Sequence, residues 1–331
     1  MTRRTLSRCA LSSCAAAVML AGCGGSQPPI SVPGAMPQSP GSAVHVERGK
    51  SWIDPVATSG SLLYVARPDN ARVDIYSYPN GKTVGSLNVA AQPWSLCTDP
   101  KGNVWITMYG QISEYAHGGT EPIATLNDDG YFAFSCSVDA KTGDLAVVNS
   151  NGLTTELGNL LVYAHATGSP AIYVAPRFVG YRGCAYDGSD NLYLIGSSSS
   201  GTVVSAELGE NKTKLKEIGL SHTPQGQADI RWDGRHISIS SPPEEMIFRF
   251  TFSHGYGEVV GSTSLHDFQD TAQFSFPIDP ERKGEVHEVI GPDFEHGATR
   301  LWKYPAGGDR IKQIPGNDEA AVGSVVSFPS E

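Results

Sequence analysis

Ser95-Leu96-Cys97-Thr98-Asp99, followed across a Pro-Lys-Gly-Asn turn by Val104-Trp105-Ile106, is the stretch on which the fold reading turns. It is a strand, an Asp-containing turn with Gly or Asn, and a second apolar strand. The same unit returns as Ser135 to Asp139 then Leu145 to Val148, and as Gly183 to Asp187 then Leu192 to Ile195. Two more copies run from Asp229 to Asp233 then His236 to Ile239, and from Ser275 to Asp279 then Glu285 to Ile290. Asp side chains bond nearby backbone in tight turns and Gly supplies positive φ, so these are hairpins. A recurrence every forty-odd residues, roughly, marks one supersecondary unit stacked on copies of itself.

Working outward, each unit is followed by a third strand, a turn and a fourth. The third strands are Val73 to Tyr78, Ile112 to Ala116, Leu160 to Ala164, Val203 to Leu208, Met246 to Phe252 and Arg300 to Tyr304. The fourth strands lie near Val84–Leu87, Ile123–Leu126, Ile172–Ala175, Leu215–Leu220, Glu258–Leu265 and Ile311–Ile314. Only five first strands stand in series, because none precedes Leu62, whereas Ala321 to Phe328 stands alone after the sixth unit. That segment is expected to pair beside Leu62 to Ala66, since circular closure removes free sheet edges. The expected fold is therefore all-β: a six-bladed β-propeller over residues 61–331, closed by a C-terminal strand.

Composition agrees. Hydrophobic residues make up 40% and charged residues 18%, while 37 glycines and 22 prolines argue for turns rather than long helices. The formal charge is −10, from 24 basic and 34 acidic side chains, and loss of Arg3, Arg4 and Arg8 with the leader takes it to −13. A surface of that sign excludes nucleic acid as the main partner, because binding there needs Lys and Arg to displace counterions.

The N-terminus reads as an export signal. Arg3, Arg4 and Arg8 precede a short apolar run from Ala10 to Ala21, too short to span a bilayer, which takes about 20 apolar residues. The run ends in Leu20-Ala21-Gly22-Cys23, which resembles the lipobox of bacterial lipoproteins. That resemblance implies that residues 1–22 are removed and that Cys23 carries lipid, tethering the protein to the cell envelope. Gly24 lacks the Asp that retains many such proteins at the inner membrane, which points to the outer one. Residues 23–60 are rich in Pro, Gly and Ser and are expected to form a disordered tether, with Trp52 and Ile53 docking onto the body.

At the Asp-Gly/Asn turns and apolar strands the chain resembles the NHL-repeat and gluconolactonase-like six-bladed propellers, over about Leu62 to Phe328. The resemblance fits an exported bacterial lipoprotein of that group. It implies architecture rather than activity, because propellers host unrelated functions. Gluconolactonase-like enzymes hold a divalent cation on inner strands with a Glu, Asn residues and an Asp, whereas the inner strands here offer Asp229 without Glu or Asn.

Aligned on the turn Asp, the first strands carry Ser95, Ser135, Gly183, Asp229 and Ser275 four residues back, and Cys97, Ser137, Ala185, Arg231 and Pro277 two back. Most of this is packing, since large and small residues must interlock between facing blades. The charges are not explained that way: Asp229, Arg231 and Arg182 are expected at the axial channel or its mouth, because an unpaired charge between blades is costly. Ser95, Ser135 and Ser275 join them as candidate ligand contacts.

Other chemistry lacks support. No Gly-x-Ser-x-Gly elbow occurs, His287-Glu288 has no second His at zincin spacing, and no Cys-x-x-Cys is present. His117 and His165 share one repeat position, and Asp128-Asp129 reads as a polar turn. The functional expectation is thus a monomeric, membrane-anchored binding or scaffold module for a protein, glycan or small ligand, without a cofactor. The alternative is a metal-dependent hydrolase or lyase with Asp229 as one ligand.

Cys97, Cys136 and Cys184 remain beyond Cys23, and three buried thiols are the expected state. Cys97 sits one residue closer to its turn Asp than the others do. It therefore faces the opposite side of its strand, and a Cys97–Cys136 bridge is the alternative.

Overall fold

A computed structural model describes residues 50–150, 157–209, 211–280, 286–316 and 319–330. Cys23, the export signal and residues 24–49 of the tether lie outside them. The described residues form no α-helix, only strands, four short 3₁₀ turns and loops.

The first sheet holds β1 (Trp52–Ile53), β2 (Leu62–Arg67), β3 (Arg72–Ser77) and β4 (Thr83–Asn88) in the order β1-β4-β3-β2. The second is a meander of β5 (Pro93–Thr98), β6 (Val104–Tyr115), β7 (Pro122–Val138), β8 (Leu145–Ser150), β9 (Asn159–Tyr163) and β10 (Ala171–Tyr173). The third joins β11 (Gly180–Tyr186), β12 (Leu192–Ser197), β13 (Val203–Leu208) and β14 (Lys216–Leu220) to a second set. That set is β15 (Ile230–Trp232), β16 (Ile237–Ser241), β17 (Met246–Ser253) and β18 (Tyr256–Ser264). A fourth sheet contains β19 (Glu288–Pro292), β20 (Thr299–Lys303) and β21 (Arg310–Ile314). The last strand, β22 (Ser324–Ser327), returns to the first sheet and pairs antiparallel with β2, Leu62 opposite Ser327 and Val65 opposite Ser324.

Three features depart from a plain four-strand repeat. β6 and β7 are long continuous strands, each serving two successive positions in the repeat, so that two units share one sheet. Outer strands β14 and β18 pair in parallel through Gly219–Tyr256 and Leu220–Gly257, joining two further units. In the last unit the first strand is reduced to a single bridge, Ser275 to Ile290. Trp52 and Ile53, read as the end of the tether, pair with Ser86 and Gly85 of β4.

The repeat stands because the units bury their faces against one another. One core packs Leu62, Tyr64 and Ile75 on Leu96, Ile106 and Met108. Successive cores then join Trp105 to Val147 and Tyr163, Val148 and Leu160 to Tyr181 and Leu194, and Ile195 to Ile239 and Phe250. The fifth packs Ile247 on Phe274 and Trp302, and the sixth brings Ile290, Leu301 and Ile314 of the last unit onto Leu63 and Val65 of the first. At that final seam Arg67 is wholly buried, its Nε 2.9 Å from Asp74 Oδ2 and its Nη1 3.2 Å from the Glu319 carbonyl. Its charge is neutralised within the seam, which a buried cation requires.

The predicted thiol state is corrected in part. Cys97 and Cys136 form a disulfide, with Cα atoms 5.9 Å apart, whereas Cys184 remains a buried thiol. The one-residue offset of Cys97 does place it opposite Cys136, and the two strands turn those faces toward each other.

Candidate functional site

The first strands meet at Arg231. Its Nε donates to Asp229 Oδ2 at 3.0 Å and to the Phe274 carbonyl at 2.9 Å. Nη1 reaches Ser135 Oγ at 3.3 Å and the Cys136 carbonyl at 3.2 Å, while Nη2 reaches Gln273 Oε1 at 3.1 Å and Ser95 Oγ at 3.4 Å. Four of the first-strand segments therefore share one guanidinium. Gln273 crosses the centre as well, its amide donating to the Phe134 carbonyl at 2.6 Å. Such a fan of planar donors suits Arg and would be lost with Lys.

Asp229 is 2% exposed, and burial raises its carboxyl above the usual range against the opposing pull of Arg231. Its Oδ1 has no hydrogen-bond partner among the described residues and faces Gly183, where an added Cβ would lie 2.8 Å from it. Gly183 is small because Asp229 occupies the neighbouring space. Cys184 lies beside this centre, and burial pushes its thiol up to about 12, leaving it protonated and unreactive.

Of the six residues singled out on the first strands, Ser95, Ser135, Asp229 and Arg231 come together in this plug. Ser95 and Ser135 are wholly buried and hold Arg231. Ser275 bonds Ser324 Oγ at 2.8 Å and borders a smaller cavity of about 270 Å³ at the opposite ends of the strands. Arg182 is separate again, on the wall of a large cleft.

That cleft, about 960 Å³, is lined by Arg182 and Asp229 of the expected set, and its aromatic wall is what the sequence reading missed. It is built from the segments that lead into the first strands, together with the turns Pro242–Pro243 and Phe294–Glu295. Trp94 forms its centre, with ring centroids 5.0 Å from Phe132, 5.3 Å from Phe134 and 6.5 Å from Phe294. The Arg182 guanidinium lies 5.4 Å over the Phe134 ring and donates to Gln227 Oε1 at 3.0 Å. Asp229 and Thr271 contribute to the lining, and Asp270 and Glu295 add carboxylates.

A repeated irregularity puts those side chains there. The ladder of β7 with β8 shifts between Ala133 and Ser135, and that of β11 with β12 between Tyr181 and Gly183. The residues passed over are Phe134 and Arg182. In β5 the shift falls between Pro93 and Leu96, around Trp94. A β-bulge leaves a residue unpaired and re-aims its side chain. Trp94, Phe134, Arg182 and Ala228 all stand five residues before their turn Asp, so one column of the repeat lines the cleft.

A catalytic cation does not fit Asp229. Its Oδ2 is shared between Arg231 and the Phe274 amide at 3.1 Å, and among the described residues it belongs to no group of three or more His, Cys, Asp or Glu that could hold a metal ion. Asp270, Asp293 and His296 do cluster, their donor atoms within 4.8 Å of one another. Asp293, however, already receives Arg300 at 2.6 Å and two backbone N–H groups, so its charge and lone pairs are taken.

No protein-family profile matches the chain, and no curated protein matches it in sequence. Solved structures do match. A chain from the crystal structure of a nidogen/laminin complex, a β-propeller, superposes with a TM-score of 0.64 at 12% identity, over 82% of this chain and all of that one. A functionally unknown protein from Desulfotomaculum acetoxidans DSM 771 matches with a TM-score of 0.53 at 11% identity, again over 82% of this chain and all of the other. Likeness at such identities defines a fold. The chain has an all-β, propeller-like fold.

Proposed function

We propose that this protein is a lipid-anchored, extracytoplasmic six-bladed β-propeller whose work is to bind a ligand in the aromatic cleft at one end of its axis. The single observation that carries the binding reading is the triple bulge, which turns Trp94, Phe134 and Arg182 out of their ladders and into one cleft. Bulges are retained features and recur next to functional sites. The cleft is of ligand-pocket size, mostly apolar, with a few placed polar groups.

Six blades account for the six inter-unit cores in series, and closure accounts for the pairing of β22 with β2. The Leu20-Ala21-Gly22-Cys23 motif supports the anchor, and the acidic charge supports a partner other than nucleic acid. The Arg231 plug argues for recognition over catalysis, because it commits Oδ2 of the inner-strand carboxylate Asp229 to internal partners, Arg231 and the Phe274 N–H.

The test is a melting-temperature screen of glycan fragments, peptides and small organic acids against the wild type and Phe134→Ala. Ligands that stabilise the wild type and lose most of that effect in the variant are expected. Stabilisation that is indifferent to Phe134 would move the site elsewhere, and stoichiometric metal with lactone hydrolysis lost in Asp229→Asn would replace binding by catalysis.

A further inference from the structure

The three bulged positions form an ordered set: indole, phenyl, guanidinium. Arg182 is the one of them that carries charge, and its environment is unusual. Burial holds its guanidinium below the ordinary arginine value. Among the described residues its one side-chain hydrogen bond goes to the neutral amide of Gln227, and it pairs with no carboxylate. A half-buried guanidinium normally finds a carboxylate or phosphate for its fork of donors. Here the fork lies against Phe134, with most of its N–H groups uncommitted among the described residues and the cleft beside it.

The rest of the cleft limits what the anion can be. Trp94, Phe132, Phe134 and Phe294 offer ring faces and edges for a flat apolar body, and such pairs gain beyond simple burial. Asp270 and Glu295 in the lining repel a second negative charge. A polyphosphate or a polyanionic glycan would meet that repulsion, and a neutral sugar would leave Arg182 unused. One negative charge at one edge of an aromatic ring satisfies both walls.

We propose that the cleft takes an aromatic monocarboxylate, its carboxylate held by Arg182 and Gln227 and its ring stacked among Trp94, Phe134 and Phe294. This assignment rests on the cleft being the binding site and adds the chemical class of its occupant. Phe134 acts twice, as a stacking face for the ligand and as the support that orients Arg182.

Equilibrium dialysis of the full-length protein in a nonionic detergent, with detergent alone as blank, tests it using 2-naphthoate and its neutral isostere 2-naphthamide. Naphthoate is expected to bind at one site, about tenfold or more tighter than the amide, the scale of one charge-assisted hydrogen bond. Arg182→Gln should remove that preference by weakening naphthoate more than the amide, and Phe134→Ala should weaken both probes. Equal affinities in the wild type would overturn the assignment without need of any variant, and so would a preference that survives Arg182→Gln. Equal binding lost in Phe134→Ala would leave the cleft as the site and reject only its anion selectivity. Failure of both probes to bind would reject the aryl ligand class, and the melting screen would then decide the cleft itself.

Discussion

Replacing Arg231 by Met would leave Asp229 buried beside Gly183 without its counter-charge, and would strip a donor from Ser95, Ser135 and Gln273 together. Breaking one side of a buried charge pair costs about 3–5 kcal/mol, and urea unfolding of Arg231→Met should show a loss on that scale. Adding Asp229→Asn should recover part of it, because the orphaned charge goes. Additive losses would mean that the two groups are not coupled. A second residue-scale expectation concerns Asp144. Burial works to raise its carboxyl, but Lys212 and the His165 backbone N–H outweigh it and hold the group below its ordinary value of 3.8. A lowered folded value stabilises the protein above the unfolded value, and that contribution fades as pH falls through the folded one. Wild type should therefore exceed Asp144→Asn by about 1 kcal/mol near neutrality. The difference should close below the ordinary value of 3.8, and a gap that persists in acid would contradict the pairing. At this scale the sequence was half legible. Charges four and two residues before the turn Asp stood out against small and apolar neighbours, and Asp229 and Arg231 do meet. The column one step further back, Trp94, Phe134 and Arg182, followed the same alternation as core positions. Only a bulge turns it into the cleft, and alternation alone cannot reveal a bulge.

The elements were more readable than their joins. Third and fourth strands appear where apolar alternation placed them, as in β3, β13 and β20, because each must bury one face and the pattern records which. The continuity of β6 and β7 was not legible: in β6 Gly110, at φ +71°, lets the chain bend without leaving the strand, and β7 runs on through Asp128-Asp129, read from the sequence as a polar turn. The Cys97–Cys136 bond depended on which faces adjoining strands turn to each other, a relation that spacing within one strand leaves open. Unfolded, non-reduced protein lacking residues 1–23 should show one reactive thiol, that of Cys184. Three would contradict the bridge. Its removal in Cys97→Ser/Cys136→Ser should cost up to about 4 kcal/mol on chain-entropy grounds for the 39-residue separation. The returning strand makes a separate demand. Deleting residues 320–331 removes β22 from β2 and strips Val322, Val325 and Val326 from two cores. Unfolding of the truncated protein should lose its cooperativity; a melt like that of the parent would contradict closure.

For the molecule as a whole, the described residues form an all-β, propeller-like body with an aromatic cleft, and the tether and the binding role are what we propose for it. The proposed tether is motivated by Cys23 and its apolar run, and Cys23→Ala tests it: the variant should lose membrane association and keep its fold, and continued partition into detergent would contradict the anchor. The class of fold was legible because a repeat that cannot bury its own faces has to stack, and stacked β units of this length form propellers. The site was less so, since it is assembled from residues drawn from five of the repeated units. The most direct test uses the five tryptophans, labelled with 5-fluorotryptophan and observed by fluorine NMR. Trp94 lines the cleft, Trp105 and Trp302 are buried in the cores, and Trp232 borders the cavity at the other end of the strands. Ligands that raise the melting temperature should shift the resonance that disappears in Trp94→Phe, while those of Trp105 and Trp302 hold still. Ligands that instead shift Trp232 and leave Trp94 unmoved would contradict the cleft as the site of binding.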